Sequence, residues 1–167
     1  MIKKLKPQQT LSKSFKINGI GLHSGEKIVL TLNPAPENSG IKFIRTDLNP
    51  KIEIPALSNF VSRTDRGTTL TKDGEFIKTT EHLLAALFAS SINNCEIEIN
   101  GAEIPIMDGS SKPFSDAILK AGIVKQSESQ EVFVVQEVIQ FTDDETGSEI
   151  LIIPSDDISF NVLIDFE

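Results

Sequence analysis

Turn-forming residues cut the first 80 residues of this chain into runs too short for helices. Asn33-Pro34-Ala35-Pro36, Glu37-Asn38-Ser39-Gly40, Asp47-Leu48-Asn49-Pro50 and Lys72-Asp73-Gly74 interrupt it repeatedly. The segments left between them, 11–17, 26–32, 41–44, 52–54, 68–71 and 76–79, read as short strands. In 26–32, Ile28, Leu30 and Leu32 share one face and Val29 takes the other, the period of a half-buried strand. Asp73-Gly74 between two such runs predicts a tight hairpin. A sheet built this way needs a cover for its apolar face.

Two later stretches can supply that cover. Over 80–92, Leu83, Leu84, Leu87, Phe88 and Ile92 recur at helical spacing with no Gly or Pro. Thr79 or Thr80 is placed to cap this helix, and Glu81 suits its first turn. Ala85, Ala86 and Ala89 form a second face of small residues, which would let a backbone or a ligand come close. A strand is expected over 95–99, with Cys95, Ile97 and Ile99 on one face. The apolar run Ile104-Pro105-Ile106-Met107 leads to Asp108-Gly109-Ser110-Ser111. A second helix is expected over 113–121, with Pro113 in its first turn and Gly122 just past its end. Strands followed by two helices put residues 1–126 in the α+β class.

The polar stretch 126–131 reads as a linker. Beyond it, 132–141, 150–153 and 158–166 read as strands with no helix to cover them, and Asp143-Asp144-Glu145-Thr146-Gly147 separates the first two. Residues 131–167 are therefore expected to be the opening strands of a second domain whose remainder is missing, or strands that dock on the first.

Charge narrows the partners. The net charge is −8, which argues against a nucleic-acid-binding surface. Residues 1–83 carry 13 Lys and Arg against 8 Asp and Glu, whereas 84–167 carry 3 against 16. Most simply this is a solvated acidic surface. It also means that an anionic substrate group would dock on the earlier part of the chain or on something outside it. The single cysteine, Cys95, excludes an intrachain disulfide and points to a reducing, cytoplasmic setting. The basic start has no apolar core of signal-peptide length behind it, and no run approaches a membrane span.

There are two histidines, His23 and His82. His82 falls in the first turn of the 80–92 helix beside Glu81. The positive end of the helix dipole favours a neutral imidazole, which a metal needs, and an ionised carboxylate, which a general base needs. Adjacent helical residues point about 100° apart. One could hold a metal while the other reaches a water on it. Ordinary helix-start chemistry explains the same two residues, and Ala85 and Ala86 stand where a zinc-protease helix would place its second ligand. A zinc site needs about three protein ligands. His23 lies in a glycine-rich segment that also fits a plain loop, and Asp108 fits plain turn chemistry.

Three segments taken together go further. Gly-Ile-Gly-Leu-His-Ser-Gly (19–25), Thr-Thr-Glu-His-Leu-Leu-Ala-Ala (79–86) and Ile-Pro-Ile-Met-Asp-Gly-Ser-Ser-Lys-Pro-Phe (104–114) resemble the UDP-3-O-acyl-N-acetylglucosamine deacetylase family of lipid A biosynthesis, in its order and at close to its spacing. Arg45-Thr46-Asp47-Leu48 also fits. The resemblance implies two similar α+β domains, each a two-layer sandwich of β-sheet and helices, with Zn2+ bound between them. It implies that His82 is a zinc ligand, that Glu81 is the catalytic general base, and that His23 and Asp108 have supporting or substrate-side roles. The implied reaction is hydrolysis of the N-acetyl group of an acylated UDP-amino sugar, releasing acetate. The family's later His-Lys-x-x-Asp ligands have no counterpart here, so this chain alone is expected to be inactive and to need its own missing C-terminal domain. A non-catalytic module that binds a nucleotide sugar or a partner protein is the alternative.

Overall fold

A computed structural model describes the backbone of residues 2–164 and the side chains of residues 6–164. The short runs of the first half become β1 (Ile2–Leu11), β2 (Phe15–Ile20), β3 (Lys27–Pro34), β4 (Ile41–Arg45), β5 (Ile52–Pro55), β6 (Val61–Arg63), β7 (Thr69–Lys72) and β8 (Glu75–Ile77). Helix α1 (Glu81–Ala89), β9 (Cys95–Ile99) and helix α2 (Lys112–Ala121) follow, then β10 (Ile123–Phe133), β11 (Ile139–Thr142) and β12 (Glu149–Ile152). The chain divides into a compact unit of Lys6–Gln130 and a second unit that holds the chain from Glu131.

The first unit is built on a five-stranded sheet of order β2-β3-β9-β4-β5. Strand β9 pairs antiparallel with β3 and parallel with β4. Its alternation places Cys95, Ile97 and Ile99 inward, where Leu30, Leu32, Phe43 and Ile54 join them in the core. The helices close over the same core. Leu83 and Leu87 come from α1 and Phe114 and Ile118 from α2, all fully buried. Burying each such side chain stabilises the fold by about 1.5–3 kcal/mol. The opposite sheet face is polar, and there Lys42 Nζ bridges Glu53 at 3.1 Å and Glu96 at 3.0 Å. This is the α+β layering that the sequence implies.

A smaller antiparallel sheet, β6-β7-β8, turns at Asp73-Gly74. Both turn residues have positive φ, 53° and 83°, as the Asp-Gly signal requires. The guanidinium of Arg45, at the end of β4, ties this sheet to the larger one. Its Nε and Nη2 donate to both carboxylate oxygens of Asp47, at 2.8 and 2.6 Å, and its Nη1 donates to the carbonyl of Phe76 in β8 at 2.8 Å.

Four local expectations are corrected. The strand expected over 11–17 is broken at residues 12–14, where Ser12 N–H turns to the carbonyl of Gly122 at 2.8 Å. The helix expected to Ile92 ends at Ala89, because Ser91 takes a left-handed φ of 56°. Neither threonine caps α1 with its side chain; Thr80 Oγ1 donates to the carbonyl of Thr68 instead. The stretch 126–131, expected as a linker, is strand within β10, which pairs with β1, and the boundary between the two units falls inside it, between Gln130 and Glu131. Its polar side chains have partners across the fold, for Gln126 accepts from Asn94 Nδ2 at 2.8 Å and donates to the carbonyl of Ala35 at 3.0 Å.

In the second unit, β11 and β12 form an antiparallel hairpin with Ile139 opposite Ile152. Ile139, Phe141, Ile150, Leu151 and Ile152 are exposed. The strand expected over 158–166 does not form through residue 164, and Phe166 lies outside the described residues. A strand needs an edge to pair with as well as alternation.

The Arg45–Asp47 fork gives a pH-dependent prediction. Arg45 is buried, and its hydrogen bonds hold the Asp47 carboxyl below its ordinary range against the opposing effect of burial. A depressed carboxyl contributes stability above its unfolded pKa of about 3.9 and loses it as pH falls through the folded value. Asp47→Asn should therefore lower the urea-unfolding free energy by about 1–3 kcal/mol at pH 7. The gap to the unsubstituted protein should close as pH drops below about 4, and a gap that stays constant down to pH 2.5 would refute the assignment.

Candidate active site

Helix α1 begins where two backbone segments lock together. Thr80 donates both its N–H and its hydroxyl to the carbonyl of Thr68, each at 3.2 Å. Thr68 N–H returns a bond to Glu81 Oε2 at 2.8 Å. One oxygen of Glu81 is thus fixed by the backbone just before β7. The other, Oε1, lies 3.9 Å from His82 Nε2. Both side chains are partly exposed, 36% for Glu81 and 29% for His82, so water reaches them. A carboxylate with one tethered oxygen and one open oxygen beside an imidazole can accept a proton at the open oxygen. The imidazole nitrogen remains available as a donor to a metal.

Gly67 makes room for this arrangement. A Cβ built there would lie 3.2 Å from Glu81 Oε1, and the backbone φ of +154° disfavours any side chain.

The other sequence-predicted residues lie as follows. His23 is exposed on the turn between β2 and β3, and its N–H donates to Glu103 Oε1 at 2.9 Å. Asp108 is exposed at the entry to α2, where its Oδ1 accepts the N–H and the hydroxyl of Ser110 at 2.9 and 2.8 Å. Those bonds hold its carboxyl below the ordinary range. Of the residues named from the sequence, only Glu81 and His82 stand as a close pair. Among the described residues no three His, Cys, Asp or Glu side chains gather as a metal-holding group. Burial pushes the Cys95 thiol up to about 12, so at neutral pH it is neither nucleophile nor ready ligand.

Sequence reasoning missed Glu103, Thr68 and Gly67. Glu103 carried a faint signal, a lone acid just ahead of an apolar run. Thr68 acts through its backbone N–H, which no side-chain motif encodes.

The fold and this pair define a class: an α+β domain that presents a water-accessible carboxylate and imidazole at the start of a helix packed on its sheet. The chain belongs to the UDP-3-O-acyl N-acetylglycosamine deacetylase family, whose model matches residues 8–167. It is 43% identical over 160 residues to a bifunctional enzyme LpxC/FabZ of Chlorobaculum tepidum, covering 96% of this chain and 34% of that protein. It is 42% identical to a UDP-3-O-acyl-N-acetylglucosamine deacetylase of Myxococcus xanthus and 43% identical to one of Hahella chejuensis, again over 96% of this chain and over 50% and 52% of those proteins. The chain thus spans about a third to a half of the length of the curated relatives it matches.

The Gly67 contact is directly testable. Gly67→Ala should cost about 1–3 kcal/mol of stability through backbone strain. It should also free the Thr68 amide, read as faster hydrogen exchange at that residue. Unchanged exchange at Thr68 would show that the segment does not depend on the missing side chain.

Proposed function

We propose that this chain carries the general base of a zinc-dependent deacetylase, one that hydrolyses the N-acetyl group of UDP-3-O-acyl-N-acetylglucosamine in lipid A biosynthesis. The observation that carries the reading is the split carboxylate of Glu81, tethered at Oε2 and open at Oε1 beside His82, in a member of the deacetylase family.

On this reading His82 would hold zinc through its imidazole. Its partial exposure, and an open Glu81 oxygen 3.9 Å from its Nε2, suit one ligand and one base. Zinc, when bound, supplies a more acidic water and a polarised acetamide carbonyl. Glu81 takes the attacking water's proton at Oε1. The Thr68 N–H at Oε2 fixes that carboxylate and leaves Oε1 open to take the proton. The proton then passes to the departing amine, and acetate leaves.

A zinc site needs about three protein ligands. Among the described residues His82 is the one in place for this role, so the isolated 167-residue polypeptide should bind zinc weakly and release no acetate. The proposed setting is the cytoplasm, consistent with the buried free thiol of Cys95. Among the described residues no helix is long and apolar enough to cross a membrane.

The test uses the full-length protein that carries these residues. Glu81→Ala should lower kcat by about 10²–10⁴-fold with zinc content unchanged. His82→Ala should lower zinc affinity. Wild-type turnover in both variants, measured as acetate release, would overturn the assignment.

A further inference from the structure

The carboxylate of Glu103 joins two of the three sequence motifs and lies on the strand-like segment that leads into the third. Its Oε1 accepts the N–H of His23 at 2.9 Å and the hydroxyl of Thr79 at 3.4 Å, and its Oε2 accepts the N–H of Ser24 at 2.8 Å. The residue is only 2% exposed. The backbone repeats the connection. Gly21 bridges Pro105 antiparallel, Lys78 bridges Glu103 in parallel, and Ile106 N–H donates to the carbonyl of Ile20 at 3.1 Å. Residues 103–106 therefore lie between the His23 turn and the segment that enters α1.

Thr79 gives this contact a mechanical meaning. It is a β-branched residue at φ 60°, a conformation such residues rarely adopt. That kink directs the chain into Thr80 and the Glu81–His82 pair. A buried acceptor on one side of Thr79 and the Thr68 clamp just beyond it keep the kink in place. Two N–H donors on the other side of the same carboxylate fix the His23 turn.

We infer that Glu103 is a positioning residue for the deacetylase reaction, setting the His23 turn against the Glu81–His82 helix start through these three donors. The inference rests on the proposed deacetylase function. The carboxylate is specific in this role because it accepts at both oxygens. A glutamine would present an NH2 group to one of the two backbone N–H donors and lose that bond. Gly21 guards the other side, since a Cβ there would collide with Ser24 Oγ and come within 2.5 Å of Glu103 Oε2.

The full-length protein is again the material. Glu103→Gln should reduce kcat/KM for acetate release by about 10- to 100-fold, the scale of a slight misplacement of working groups. Zinc content should stay at the wild-type level. In a His23→Ala background the same substitution should cost little more, because the two would act as one unit. Amide exchange should quicken at His23 and Ser24 while the α1 core amides keep their protection. Gly21→Ala, which displaces the same carboxylate without altering it, should reproduce this profile. Unchanged kcat/KM, losses that multiply with His23→Ala, or loss of zinc would each overturn the inference. So would failure of both variants to fold, which would make Glu103 a folding residue only. If the wild-type protein releases no acetate, it is the deacetylase reading that fails, and the amide exchange still reports whether Glu103 holds the turn.

Discussion

A carboxylate withdrawn from water stays ionised only where protein donors replace the solvent, and Glu103 draws its donors from two places far from it in sequence. The amides of His23 and Ser24 come from one side and the hydroxyl of Thr79 from the other. Burial alone would raise the carboxyl, yet the His23 amide and the side chain and amide of Ser24 together lower it below its ordinary range. This single side chain imposes a strong geometric condition on the fold. The β2–β3 turn, the entry to α1 and the approach to α2 must converge on it together.

A second tie works from the sheet side. The Arg45 fork joins the end of β4 to Asp47 and to the carbonyl of Phe76, and so anchors the small sheet whose β7 follows Thr68. The Glu81 carboxylate is reached from this direction. The helix start is therefore set by two independent constraints, one acting on Thr79 and one acting through Thr68. Neither belongs to α1 itself. A helix of nine residues would be marginal alone. Its Leu83 and Leu87 in the core fix its axis, and the two ties fix its first turn.

What could be read from the sequence follows from where the information sits. Alternation in β3 and β9 and helical spacing in α1 belong to local runs, so strands, helices and layering were legible. The Asp73-Gly74 hairpin was legible because positive φ at two successive positions favours few residue types. Strand β10 was not, because a polar strand is defined by β1 beside it and by partners such as Asn94 and Ala35. The site divides in the same way. Glu81 and His82 announce themselves as side chains in a motif. Thr68 contributes a backbone amide, Gly67 an absent side chain and Glu103 an acceptor whose partners lie 24 and some 80 residues earlier.

The exposed apolar residues of the second unit acquire a different meaning beside its charge. No Lys or Arg follows Lys125, while acidic residues recur from Glu131 to Asp157 among Phe133, Phe141, Leu151 and Phe160. Bare hairpin edges invite pairing between copies, and one-signed charge opposes it by mutual repulsion. That repulsion is screened over about 8 Å at physiological salt and vanishes as the carboxylates protonate. Association of copies of this segment through those edges would thus respond to ionic strength and acidity as much as to the folded contacts within it.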